Sequence, residues 1–162
     1  MDGIVEVIGV APEAARALEA RAEVRLVAGV GIEGDRYAEG KGTFSRKPDP
    51  KRQLTLIGAE DVEAAARDAG FEIAPLDPRR NLVVRGMSLA GLIGARFTLG
   101  EAEIEILSPC PPCGWLDRVV RPGLDAALGG RGGVYAAIHR GGTVRVGDHL
   151  TPVPGHPARR LP

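Results

Sequence analysis

A chain of 162 residues is long enough for one well-buried core and short for two, and at this size roughly 70% of the unfolded surface is buried without a disulfide or metal staple. Lys and Arg number 21 and Asp and Glu 21, a formal net charge of +0; this argues against a chain that wraps nucleic acid. No apolar run reaches the roughly 18 to 20 residues of a membrane span, the start lacks a signal peptide's basic and apolar regions, and the two cysteines form no secreted disulfide framework, so neither a nucleic-acid nor a membrane partner is expected and the expected location is cytoplasmic.

Residues 4–10 alternate apolar positions with Glu6 and predict a strand. Residues 12–25 carry a mixed pattern, read as an irregular stretch leading into a strand at about 23–28. Gly29, Gly31 and Gly34 then punctuate a turn into Asp35-Arg36-Tyr37. Residues 36–52 have turn composition and hold six basic side chains (Arg36, Lys41, Arg46, Lys47, Lys51, Arg52) against two acidic ones, Glu39 and Asp49. A strand is predicted at 53–57 and the clearest helix from Gly58 to about Ala69, its acidic first turn suiting the positive end of the helix dipole and Gly70 suiting its stop. Strands follow at 81–85, 96–99 and 102–107, the last two joined by a tight turn at Gly100-Glu101. Beyond the cysteines, Pro122 divides a helical pattern into two short helices, because proline supplies no amide donor inside a helix. Residues 134–139 and 143–146 are expected to form a hairpin-like pair around Gly141-Gly142. Residues 1–150 are thus read as one domain, and the proline-rich 151–162 as a loosely packed tail. Seven or eight short strands joined mostly by short turns predict a mainly β fold, a closed or folded-over antiparallel barrel with a few short helices.

Cys110-Pro111-Pro112-Cys113 admits four readings. A redox pair copies the spacing of a thioredoxin-like motif, but that motif belongs after a strand in a βαβ alternation absent here. A zinc site would have to recruit His139 and His149 or a carboxylate. Both cysteines could instead be small buried thiols, or one could be a working thiolate in a proline-stiffened loop. Cys113 is the stronger candidate for that thiolate, standing just before a helix start expected at Trp115, where helix-end amides stabilise an anion. The other polar positions have plain structural alternatives: Asp35 as a turn residue, Arg79-Arg80-Asn81 as an exposed rim or an anion-capturing fork, and Asp148 as a strand-end turn.

Taken in order, several runs resemble a known family: Gly31-Ile32-Glu33-Gly34-Asp35-Arg36-Tyr37, then Arg79-Arg80-Asn81-Leu82-Val83-Val84-Arg85-Gly86, then Gly94 and Gly100, then the cysteine pair. Arg131-Gly132-Gly133-Val134-Tyr135-Ala136 and Gly141-Gly142-Thr143-Val144-Arg145-Val146-Gly147-Asp148 complete the series. Over residues 4–150 the chain resembles a free-standing bacterial MOSC domain, named for the C-terminal part of molybdenum-cofactor sulfurases. The resemblance implies a barrel-like fold with one working cysteine, matched by Cys113. It implies that this thiolate holds the molybdenum of a pterin cofactor, with Arg36, Arg80 and Asn81 as candidates for the cofactor's phosphate or another anion. The implied activity is reduction of N-hydroxylated small molecules, or handling of cofactor and sulfur through the thiolate. The alternative is a non-catalytic carrier with a persulfide on Cys113; pyridoxal phosphate binding enters only as a family association. Many members have His where this chain has Tyr37. Electrons or sulfur would come from, or go to, a separate partner protein.

Overall fold

A computed structural model describes residues 2–35 and 53–159, and in it the short apolar alternations become the staves of a barrel. The strands among the described residues are β1 (Gly3–Val10), β2 (Glu19–Arg21), β3 (Glu23–Val27), β4 (Gly31–Ile32), β5 (Leu54–Gly58) and β6 (Leu82–Arg85). They continue with β7 (Arg96–Leu99), β8 (Ala102–Pro109), β9 (Val134–Arg140), β10 (Gly142–Arg145) and β11 (His149–Pro152). Three short α-helices accompany them, α1 (Ala59–Ala69), α2 (Gly114–Val119) and α3 (Leu124–Leu128), with a 3-10 turn at Leu89–Leu92. None of the described helices is long and apolar enough to cross a membrane.

The closed sheet runs β11-β7-β8-β9-β5-β6-β1 and returns to β11, where Gly3 pairs with Leu150. Closure removes the exposed edges that an open sheet would present. Along each stave every second residue turns inward: Ala102, Ile104 and Ile106 from β8, and Val134, Ala136 and Ile138 from β9, meet Leu54, Leu56, Leu82, Val84 and Phe97 inside. A second apolar layer lies where Ile57 and Val83 meet Val62 and Ala65 of α1, Leu116 of α2, and Leu124 and Leu128 of α3. Each such aliphatic side chain contributes about 1.5–3 kcal/mol on full burial. α1 has the expected ends: Glu60 and Asp61 in its first turn, and Gly70 at φ 75° with its N–H on the Ala66 carbonyl.

Three details differ from the sequence reading. First, the barrel is not wholly antiparallel, because β5 and β6 run parallel with Leu56 opposite Leu82. A parallel neighbour needs a crossover of a dozen or more residues, which α1 and the segment after it supply. Second, β9 and β10 do not pair as a hairpin. β10 leaves the barrel and pairs with β3, Val144 opposite Val24, in a small sheet with β4. The glycines between them serve close approach rather than a tight turn: a Cβ on Gly142 would fall 2.6 Å from Glu101 Cβ, and one on Gly141 2.5 Å from the Leu26 carbonyl. Third, residues 153–159 are not loose. Val153 N–H donates to the Arg96 carbonyl at 2.9 Å and Arg96 N–H to the His156 carbonyl at 3.2 Å, and Ala158 packs on the core. Prolines here shape a hydrogen-bonded return instead of preventing one.

Candidate functional site

The cysteine loop leaves the end of β8 and is held against the start of β9. Cys110 N–H donates to the Gly133 carbonyl at 2.8 Å. A Cβ on Gly132 would sit 2.3 Å from the Cys110 carbonyl oxygen, and one on Gly133, at φ +90°, would sit 2.1 Å from the Leu56 carbonyl oxygen. The Gly132-Gly133 pair is therefore required by two backbones that approach it at once.

Arg80 completes the hold. Its guanidinium is buried and donates to carbonyls on three sides: Nε to Gly132 at 2.7 Å, Nη1 to Pro78 at 3.1 Å, and Nη2 to Cys110 at 3.1 Å and more weakly to Pro111 at 3.4 Å. Four of its five N–H groups are thus directed at backbone. The sequence offered Arg80 as a fork for an anion; here the fork ties the start of β6 to the cysteine loop. Asn81 is likewise engaged. Its Oδ1 accepts from Thr55 N at 3.2 Å and Thr55 Oγ1 at 3.1 Å, its own N–H donates to Thr55 Oγ1 at 3.0 Å, and Nδ2 donates to the Gly9 carbonyl at 3.1 Å. It bonds β5, β6 and β1 together at the place where the parallel pair begins. Arg79 stands at φ 62° with its guanidinium 5.0 Å from the Trp115 ring centre, linking this corner to α2. Arg36 and the basic run 36–52 lie outside the described residues. Asp35, buried, accepts from Ala11 N at 3.1 Å, which ties the end of β4 back to the residue after β1.

The two cysteines differ sharply. Cys113 is exposed and Cys110 is buried, and both are free thiols. Cys113 is the N-cap of α2, which starts at Gly114 rather than Trp115 and has only 6 residues, so its dipole is small. What fixes Cys113 is chiefly the clamped loop before it. Burial pushes the Cys110 thiol above its ordinary range, with the Arg80 charge and a hydrogen bond with Tyr135 opposing that shift. No turn or bend lies between Cys110 and Cys113, as expected where prolines hold their predecessors extended. Both thiols are free, and the loop that carries them follows a strand of an antiparallel pair rather than standing in a βαβ unit. The thioredoxin-like reading is set aside. So is zinc: His139 Nε2 is engaged by Glu105 at 2.9 Å, His149 stands 3.8 Å from Asp2, and the described residues include no group of three or more His, Cys, Asp or Glu that could hold a metal ion. Asp148 is a turn residue, accepting from Arg145 N at 2.7 Å.

Sequence reasoning did not single out Thr55, Ser108 or Tyr135. Tyr135 stands opposite Thr55 on one neighbour and Ser108 on the other. Its flanking residues Val134 and Ala136 point into the barrel, so these three face outward as a polar row that ends at Cys110. A readable signal was the lone tyrosine alternating with buried residues in Val134-Tyr135-Ala136.

Against known proteins, the family model described as the MOSC domain matches residues 40–151. Among solved structures, the YuaD protein from Bacillus subtilis superposes with a TM-score of 0.75 at 22% identity, covering 93% of this chain and 94% of that one. YiiM from Geobacillus stearothermophilus gives 0.72 at 16% identity (93% and 75% covered), and YiiM from Escherichia coli 0.68 at 22% (99% and 71%). At these identities the likeness shows the fold. No curated protein matched by sequence. With its barrel shared by these structures and most of its length matched by the family model, the chain belongs to the MOSC domain family.

Proposed function

We propose that this protein binds a molybdenum pterin cofactor through the thiolate of Cys113 and uses it to reduce N-hydroxylated small molecules. The observation that carries this reading is an exposed thiol at the end of a loop whose backbone is clamped by a buried arginine. The residues present fit such a group. A thiolate is a soft ligand suited to a metal of this kind, and Cys113 is reachable from solvent. With no multi-residue metal cage among the described residues, the metal would have to arrive already chelated and take one protein sulfur. When bound, the cofactor supplies the redox chemistry. Cys113 holds it, Arg80 and Gly132-Gly133 keep Cys113 in place, and Asn81 fixes the strand from which Arg80 reaches. Arg36 remains the candidate for the cofactor's phosphate, and electrons would come from a separate donor protein.

A second reading is favoured by the exposure of Cys113, which leaves room for another protein's cysteine. In it the Cys113 thiolate attacks the outer sulfur of a donor persulfide, a new S–S bond forms on Cys113, and the donor leaves as its thiolate. Elemental analysis of protein made in a cofactor-producing host separates the two. Near-stoichiometric molybdenum supports the first, sulfane sulfur without metal supports the carrier, and neither refutes both.

A further inference from the structure

At one end of the barrel β6 and β11 leave, β1 begins and β7 enters. There a cavity of about 700 Å³ opens between the turn after β6 and the return after β11. Its floor is Ala95 and Phe97, both buried in the barrel core, and its walls include Met87, Leu92, Val153 and Ala158. Met87, Leu92 and Ala158 pack against that core from the cavity's side. Hydrogen bonds hold the walls apart. Val153 N–H donates to the Arg96 carbonyl at 2.9 Å, His156 N–H to the Val153 carbonyl at 3.3 Å, and Arg159 N–H to the Ile93 carbonyl at 2.6 Å. Pro152, Pro154 and Pro157 stiffen the same stretch. A cavity of this size falls within the roughly 300–1,000 Å³ of small-molecule sites, and barrel mouths are a usual place for them.

The lining sets the chemistry of the occupant. Among the described residues no Asp, Glu, Lys or Arg lines the cavity, and its one titratable side chain, His156, is exposed. A charged ligand would shed its water there with nothing to pair it. An extended peptide is poorly served too: the three prolines have no N–H, and those of Val153 and His156 are already used, so the return offers few main-chain donors to an added strand. We propose that this mouth of the barrel binds a neutral small molecule with a largely apolar body, at a site separate from the cysteine loop. Covering the apolar floor and walls supplies the affinity, the unbranched Met87 side chain adapts to the ligand's outline, and the Ser88 hydroxyl is available to one polar group. The site stands whether or not Cys113 holds a cofactor.

The test titrates the full chain with 2-naphthamide and 2-naphthoate, which share a shape and differ in charge, and follows the methyl groups by NMR. 2-Naphthamide is expected to bind at a single site with Kd on the order of 0.1 mM, its shifts centred on Met87, Leu92, Val153 and Ala158. 2-Naphthoate is expected to bind about 10-fold more weakly. Val153→Asp sets a carboxylate in the wall and Ala158→Leu fills part of the cavity; each is expected to weaken 2-naphthamide about 10-fold. Ala158→Leu decides the matter if Val153→Asp disturbs the return. Cys113→Ser is expected to leave the Kd unchanged. No binding below about 5 mM, shifts centred elsewhere, or undiminished binding by Ala158→Leu overturns the site. Equal or tighter binding of 2-naphthoate overturns the neutral ligand class, and loss of binding in Cys113→Ser moves the probe to the cysteine loop and overturns the separation of the two.

Discussion

Replacing Arg80 by alanine should do more damage than removing any other single charge at the site. The substitution strands the Gly132 and Cys110 carbonyls, which the buried guanidinium satisfies at 2.7 and 3.1 Å, and loosens those of Pro78 and Pro111 at 3.1 and 3.4 Å. Leaving a buried carbonyl unpaired costs about 1–3 kcal/mol, so two such groups and a partial loss at the others give about 3–5 kcal/mol. That is a large share of the roughly 5–15 kcal/mol that holds a domain folded, and it should lower Tm by about 10 °C. Arg80→Lys keeps the charge but not the planar fork, and should recover less than half of the loss. Urea unfolding at constant m reports the stability. Native-state iodoacetamide labelling reports the loop, because Cys110 should become reactive once its carbonyl is released. A loss below about 1 kcal/mol with Cys110 still protected would refute the clamp and return Arg80 to the role of anion fork.

Cys113→Ser should abolish molybdenum or sulfane sulfur loading while Cys110→Ser reduces it in part, measured by metal and sulfur content; loss confined to Cys110→Ser would reverse the ranking. Because burial raises the Cys110 thiol above its ordinary value of 9.0, the folded state keeps this proton after the unfolded chain has lost it. The associated stability is fully present below pH 9 and disappears as pH rises through the folded value, so urea midpoints should fall on the alkaline side in wild type and less so in Cys110→Ala. Gly133→Ala should destabilise by more than about 2 kcal/mol, from a left-handed φ together with backbone overlap. Gly29→Ala, at φ +71° with open space around it, should cost only about 1 kcal/mol. Equal Tm losses in these two variants would contradict the close approach at Gly133.

Where the sequence was readable, local physics was enough. The strand at 96–99 and the helix ending at Gly70 lie where alternation and capping put them, because their signals are complete within a few residues. β2 was unreadable: three exposed residues, Glu19–Arg21, carry no alternation. The β9–β10 hairpin was misread because adjacent glycines signal a turn equally well when they serve close approach to a distant backbone. At the site, the order of motifs pointed to Cys113, yet the part played by Arg80 was hidden. Its acceptors are carbonyls 52 and 30 residues away along the chain, and carbonyls leave no mark in a sequence.

The seam that closes the barrel joins Gly3 to Leu150 and Ile4 to His149, strands separated by nearly the whole chain. During synthesis β1 must wait for β11, because that pairing cannot form until His149 and Leu150 have emerged. Until then β1 and β7 each present an open edge to other chains. Such distant pairing also pays its loop-closure entropy late, which slows folding relative to a helical protein of equal size. Yield in a cell should therefore depend on temperature and expression rate more than the folded protein's stability would suggest, with the greatest losses falling on chains stalled before residue 149.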